Sequence, residues 1–340
     1  MNLIFESKYI RAGGKTKKLA RQENIKLTYL SDGKEVSIDD YLERTNGTSL
    51  LVIKDGRIVF EQYANGNRED HAASSRSMAK SITSMVAGMA VKDGSIGSID
   101  DPVVKYLPEL NGTAYETVTL KHLLTMSSGV RYYENAKDPA SDLTPLQGCL
   151  LANRSGCLIR FLRDLASRPN ARVAPPGEKF HYSTADSVAM GIVVERAVGM
   201  PVTEYLSQKL WIPFGMERDA YWNVESQDGN YFGGSGFGAT LRDYGRLGLF
   251  LLHNGRIDGE QVLPDIWVKE STTPSPARED YGYYWWLDHG NAAFSARGSS
   301  GQRIAIVPGK ALIIVKTSAA LNREEDQALL DAIIQHFDAS

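Results

Sequence analysis

Ser77-Met78-Ala79-Lys80 sets a hydroxyl and an amine three residues apart. On a helix, positions i and i+3 share a face. Met78, Ile82, Met85, Val86, Met89 and Ala90 recur at helical spacing, and Gly94 ends the pattern. The flanking residues are apolar almost all round, which predicts a buried helix. Apolar surroundings and the positive end of a helix dipole both disfavour an ammonium. A neutral amine beside a hydroxyl is a general base beside a nucleophile. Ser-x-x-Lys arises about once by chance in a chain this long. The weight therefore rests on a lysine set in an otherwise apolar helix, where an unpaired charge is costly.

Two further segments offer partners. His181-Tyr182-Ser183-Thr184 follows the Pro175-Pro176-Gly177 turn and precedes a helical pattern. Ser183 or Thr184 can cap that helix, which holds Tyr182 at its entrance, where a phenol can shuttle a proton. Ala296-Arg297-Gly298-Ser299-Ser300-Gly301-Gln302 lies between two strand-like runs. Small residues on a strand edge let a substrate approach the backbone. An N–H there, that of Ser299, can complete an oxyanion hole with the N–H of Ser77. Thr184, Arg297, Gly298 and Trp286 are further candidates to touch substrate. Trp286 belongs to the aromatic group Tyr281, Tyr283, Tyr284, Trp285, Trp286, which equally suits a packed strand.

The positioning elements follow from periodicity. Ser49–Lys54 and Arg57–Tyr63 read as a hairpin about Asp55-Gly56. Helical patterns then dominate: Val118–Met126, Pro145–Ala166 weakened by Gly148 and Gly156, Thr184–Val198 ended by Gly199, and residues 240–253. Strands return at Tyr281–Leu287, Ala292–Ala296, Gln302–Val307 and Ala311–Thr317, and Arg323–Phe337 closes as a helix. The economical packing is α+β: an antiparallel sheet flanked by helices, with an inserted all-helical domain. The sheet domain takes residues 1–74 and 225–340, and the insertion takes 75–224.

Composition narrows the partners. The chain has 340 residues, 42% hydrophobic and 23% charged, with a net charge of −3. That is ordinary globular usage, with no electrostatic case for nucleic acid or an anionic membrane. No apolar run approaches the ~20 residues of a membrane span. The start of the chain carries no export-type apolar run, which makes a cytoplasmic location the expectation. Cys149 and Cys157 show no zinc-type spacing. Two free thiols in a reducing compartment are the simpler reading, with a local disulfide the alternative. The histidines lack ligand-like spacing, and neither a metal nor an organic cofactor is expected. A G-x-S-x-G elbow, H-E-x-x-H and a full Walker A are absent.

The order Ser77-x-x-Lys80, Tyr182, then a glycine-bearing strand resembles the penicillin-recognising serine hydrolases. These are the class C β-lactamases, D,D-peptidases, family VIII esterases and 6-aminohexanoate-dimer hydrolases. The resemblance covers about residues 45–318. It extends to Leu123-Leu124-Thr125-Met126-Ser127-Ser128-Gly129, Pro175-Pro176-Gly177, Leu210-Trp211-Ile212-Pro213-Phe214-Gly215-Met216 and Gly301-Gln302. Two positions depart from it. Thr184 stands where the family usually has asparagine. Ala296 stands where the lactamase branch has the lysine that attracts the drug's carboxylate, and Arg297, one residue on, faces the other side of a strand. The form ending in Gly301-Gln302 is most similar to the dimer-hydrolase and esterase branch.

The resemblance implies a serine hydrolase acting on a small-molecule ester or amide through an acyl-enzyme. Ser77 is the nucleophile, Lys80 the base and Tyr182 the proton relay. The alternatives are a β-lactamase or D,D-peptidase, and a non-catalytic member kept as a binding or assembly module.

Overall fold

The structure, a computed structural model, describes residues 5–22, 24–288, 290 and 292–338. His289 and the first four residues, read above as sequence, lie outside that set. Two sheets organise the chain. The smaller has the order β1-β6-β7-β5, with β1 (Ser7–Ile10), β5 (Ala73–Ser74), β6 (Ala220–Asn223) and β7 (Phe237–Ala239). The larger has seven strands in the order β8-β9-β10-β11-β3-β4-β2. These are β2 (Ala20–Arg21), β3 (Gly47–Lys54), β4 (Arg57–Tyr63), β8 (Trp286–Asp288), β9 (Ala293–Gly298), β10 (Gln302–Val307) and β11 (Leu312–Ser318). Every pairing in it is antiparallel except β2 with β4.

The hairpin of β3 and β4 turns on Asp55 at φ 49° and Gly56 at φ 74°, the left-handed pair that an Asp-Gly turn supplies. Along β3, Leu51 and Ile53 enter one hydrophobic core while Leu50 and Val52 enter another. Ile313 and Val315 alternate with Leu312 and Ile314 in the same way on β11. The period-2 pattern thus buries both faces of the sheet. One face meets the helical part of the chain. The other is covered by α6 (Arg323–His336) and the short helix Ile38–Arg44.

The helical part comprises α1 (Met78–Lys92), α2 (Leu143–Leu151), α3 (Cys157–Ala166) and α4 (Thr184–Val198), and α5 (Leu241–Leu252) packs on the sheet. Gly94 at φ 82° and Gly199 at φ 68° follow α1 and α4 as their sequences require. The run Pro145–Ala166 is two helices, because the chain breaks at 152–156, where Gly156 takes φ 75°.

Two expectations need correction. Cys149 and Cys157 are not free: they form a disulfide, with Cα atoms 5.4 Å apart. The break between α2 and α3 turns the chain back on itself and brings them together, which spacing alone does not reveal. The argument for a reducing compartment loses its support with them. Second, Tyr281–Leu287 is not one strand. Only Trp286–Asp288 pairs with β9. Tyr284 has φ 63°, its N–H donates to the Leu124 carbonyl, and its own carbonyl accepts from the Ser81 hydroxyl. The aromatic run is folded into the core by these contacts. Among the described residues, no helix is long and apolar enough to cross a membrane.

Candidate active site

Strand β5 leads into α1 through a tight turn. Ser75 N–H donates to the Phe237 carbonyl, and Met78, Ala79 and Lys80 N–H groups bond back to Ser75, Arg76 and Ser77. Arg76 takes φ 48°, a left-handed conformation that costs a non-glycine residue roughly 1–2 kcal/mol. Ser77 is the N-cap residue of α1, yet its side chain makes no capping bond. Its hydroxyl is left for Lys80, whose Nζ lies 3.1 Å from Ser77 Oγ.

Lys80 is 2% exposed, on a helix buried from Met78 to Ala90. Its Nζ donates to the Gly234 carbonyl at 2.8 Å and sits 5.0 Å from the centre of the Tyr182 ring. Gly234 is a residue sequence reasoning missed. A Cβ there would come within 2.6 Å of Thr184 Cγ2 and 2.7 Å of Ser187 Oγ, so only glycine lets this backbone lie against α4. The signal was faint: a Gly-Gly-Ser-Gly stretch at 233–236 that reads as any loop.

Tyr182 is held by its neighbours. His181 N–H donates to the Met126 carbonyl at 2.7 Å, and Ser183 N–H to Met126 Sδ at 3.2 Å. The segment 123–129 thereby clamps the approach to α4. Ser183 caps α4 by accepting from Asp186 N–H at 3.1 Å, and Glu134 accepts from Thr184 N–H at 3.2 Å. Thr184 itself is 2% exposed and lies beneath the cleft, outside its lining. Asp186, fully buried in the first turn, has its carboxyl pushed up to about 7 by burial, opposed by the hydroxyls of Ser128 and Tyr115.

The third wall is β9. Strand β8 pairs with it only through residues 293–295, so the outer edge at 296–298 faces the start of α1. Gly298 is the point of closest approach: a Cβ there would sit 2.5 Å from the Ser75 carbonyl oxygen and 3.0 Å from Arg76 Cβ. Ser299–Gly301 then turn the chain, with Ser300 at φ 65° and Gly301 at φ 83°. Gln302 fastens this turn from behind, accepting from Ser318 N–H and donating to the Ser318 carbonyl.

Ser77, Tyr182, Trp286, Arg297, Gly298 and Ser299 line one cleft of about 700 Å³. Trp286 stacks on Tyr182, ring centres 6.2 Å apart and planes at 25°. Ala296 is fully buried. Arg297 leaves the opposite face of β9, as strand alternation requires. Its guanidinium passes over Trp286 at 5.3 Å, which brings a cation back to the cleft. Arg278, which sequence reasoning also missed, lies 5.2 Å from the same ring.

The arrangement places a hydroxyl beside a buried amine, a phenol ring over that amine and an open strand edge across from both. The chain belongs to the Beta-lactamase family, whose pattern matches residues 37–338. It is 28% identical over 303 residues to the 6-aminohexanoate-dimer hydrolase of Paenarthrobacter ureafaciens, covering 83% of this chain and 75% of that one. It is 31% identical over 199 residues to Esterase EstB of Burkholderia gladioli, covering 54% and 49%. A solved structure from Bacillus anthracis has the same fold, with a TM-score of 0.86 at 22% identity over 99% of this chain and 91% of that one. The octameric penicillin-binding protein homologue from Pyrococcus abyssi aligns with a TM-score of 0.71 at 21% identity, over 88% and 76%. The α+β fold expected from the sequence is therefore the family's own, and its relatives include amide and ester hydrolases.

Proposed function

We propose that this protein is a serine hydrolase that cleaves an ester or amide bond of a small molecule through an acyl-enzyme. Ser77 Oγ attacks the carbonyl carbon, and its proton passes to Lys80. Tyr182 relays a proton to the leaving group, then helps activate the water that releases the acyl group. The N–H groups of Ser77 and Ser299 hold the oxyanion. The observation that carries this reading is the placement of Lys80 Nζ between Ser77 Oγ at 3.1 Å and the Gly234 carbonyl at 2.8 Å. The carbonyl holds the amine within proton-transfer reach of the hydroxyl.

A β-lactamase or D,D-peptidase is the second reading. It is disfavoured by Ala296, which puts no cation at the lactamase position, and favoured by Arg297, which reaches the cleft by another route. A non-catalytic role is disfavoured because Ser77, Lys80 and Tyr182 stand together. Intact-mass spectrometry after mixing with p-nitrophenyl butyrate, and separately with a cephalosporin, tests all three. A butyryl adduct that disappears in Ser77→Ala supports the esterase reading. An adduct with the cephalosporin alone supports the second, and no adduct with either supports the third.

A further inference from the structure

Lys80 carries its amine on a flexible four-carbon stem, with much rotamer freedom to lose. Besides Ser77, the Gly234 carbonyl holds its Nζ, at 2.8 Å. The aim of that carbonyl therefore sets the aim of the amine. Yet Gly234 follows Gly233, and two glycines in succession make the least constrained backbone a chain can have. Their setting has to come from other residues.

The hold comes from two sides. Residues 232–235 form a β-turn with both glycines at its centre, closed by the Ser235 N–H donating to the Phe232 carbonyl at 3.2 Å. Trp222 is fully buried on β6, the strand between β1 and β7. Its indole N–H is shared between the Phe232 carbonyl at 3.0 Å and the Ser235 carbonyl at 2.9 Å, the first and last residues of the turn. The Asn223 backbone takes the same loop at wider points. Its carbonyl accepts from the Phe232 N–H and its N–H donates to the Gly236 carbonyl, both at 2.9 Å. From the opposite side, Thr83 Oγ1 donates to the Gly233 carbonyl at 2.8 Å. Thr83 is three residues beyond Lys80 on α1, so the two share a helix face. Two neighbouring carbonyls of the turn thus meet two side chains one helical turn apart. A buried indole needs one acceptor. Here its N–H spans both ends of the turn that carries the partner of Lys80.

We propose that Trp222 is a positioning residue for Lys80: its indole N–H, assisted by Thr83, fixes the Gly233–Gly234 turn so that the Gly234 carbonyl keeps the amine beside Ser77. The kinetic consequence rests on the hydrolase reading. Trp222 stands outside the lining of the cleft, so it acts on the reacting groups and leaves substrate affinity alone. Misplacement of a reacting group by a fraction of an ångström slows the chemical step without weakening binding.

The test removes the hydrogen bonds and keeps the shapes. Trp222 is replaced by its benzothiophene analogue, in which sulfur stands in for the indole N–H, and Thr83→Val deletes the hydroxyl while Thr83→Ser retains it. Stopped-flow release of p-nitrophenol from p-nitrophenyl butyrate gives the acylation rate constant at saturation and the ester concentration that half-saturates it. A rate constant does not depend on the fraction of protein that is folded, so lost stability alone leaves it unchanged. The benzothiophene variant should acylate about tenfold more slowly with half-saturation unmoved. Thr83→Val should slow it less, and Thr83→Ser should keep the wild-type rate. The second readout needs no ester: the Lys80 13Cε resonance, assigned by its loss in Lys80→Arg. It should shift or broaden in the benzothiophene variant and in Thr83→Val, and stay in place in Thr83→Ser. A resonance that moves this way in a protein that cleaves no ester would overturn the hydrolase reading and leave the positioning role standing. An unmoved resonance would overturn the positioning role, whatever happens to the rate. A moved resonance with unchanged acylation in an active enzyme would overturn it as well.

Discussion

Gly298 lies against the backbone of Ser75, so close that a Cβ on it would sit 2.5 Å from the Ser75 carbonyl oxygen. This contact sets the spacing between the edge of β9 and the start of α1, and hence between the two N–H groups proposed for the oxyanion. Gly298→Ala should force that spacing apart. Overpacking costs about 1–3 kcal/mol of stability, while an ångström of misplacement at the reacting centre costs about 100-fold in rate. The expected outcome is a folded protein with kcat for an ester lowered about 100-fold, measured beside a thermal melt.

Ser77→Ala should abolish ester hydrolysis, with a loss of about a thousandfold or more. Because the Ser77 side chain makes no capping bond, stability should change by no more than about 0.5–1 kcal/mol. A variant that keeps a tenth of the wild-type kcat would sink the assignment.

Lys80→Arg should be nearly dead at every pH, by about a thousandfold. Arginine keeps its charge throughout the working range, and a guanidinium is too large for the gap between Ser77 and the Gly234 carbonyl. The check is a pH profile of kcat/KM with an ester that does not itself ionise. Substantial activity with an unchanged profile would leave Lys80 a purely structural group.

Asp186 gives the fold a pH dependence of its own. Its carboxyl is pushed up to about 7 by burial, against an unfolded value near 3.9. Between roughly pH 4 and 7 the folded chain therefore holds a proton that the unfolded chain has released. The stability contributed by this group falls as pH rises through that window and is lost above about 7. Asp186→Asn removes the titration, so its Tm relative to wild type should rise by a few degrees from pH 4 to pH 7.5. A constant difference across that range would contradict the assignment.

The Cys149–Cys157 disulfide closes a loop of separation 8, for which loop entropy predicts about 2–3 kcal/mol. The unreduced protein should show no titratable thiol in denaturant, and a reductant should lower its Tm. Two reactive thiols without reductant would show that the pair is open.

What could be read from the sequence was local. Ser77 and Lys80 are one helical turn apart, so their pairing follows from periodicity. A cap at Ser183 or Thr184 is announced by their standing before a patterned helix, and Ser183 is the one that serves. The Asp55-Gly56 hairpin needs only its own two residues. What escaped was made by distant segments meeting. Nothing near Gly234 says that its carbonyl will meet Lys80, and nothing near Arg278 says that it will face Trp286. The strand expected at 281–287 failed because Tyr284 is drawn to Leu124 and Ser81, partners more than 150 residues away. Arg297 was placed on the correct face of its strand. Its length, which carries the guanidinium round the edge to Trp286, is a property that alternation does not describe.

The carbonyl that grips Lys80 belongs to a residue 154 positions further along the chain. Contacts this remote in sequence tend to form late, since a long loop must close before they stabilise anything. Helix α1 can wind, and bring Ser77 to Lys80, well before residues 233–234 dock upon it. Recovery of turnover after dilution from denaturant should therefore lag behind the return of helical signal. The delay times the docking of every distant segment that completes the site, Tyr182 and the edge of β9 as well as residues 233–234, so the protein's own catalysis becomes a clock for the closing of its long-range contacts.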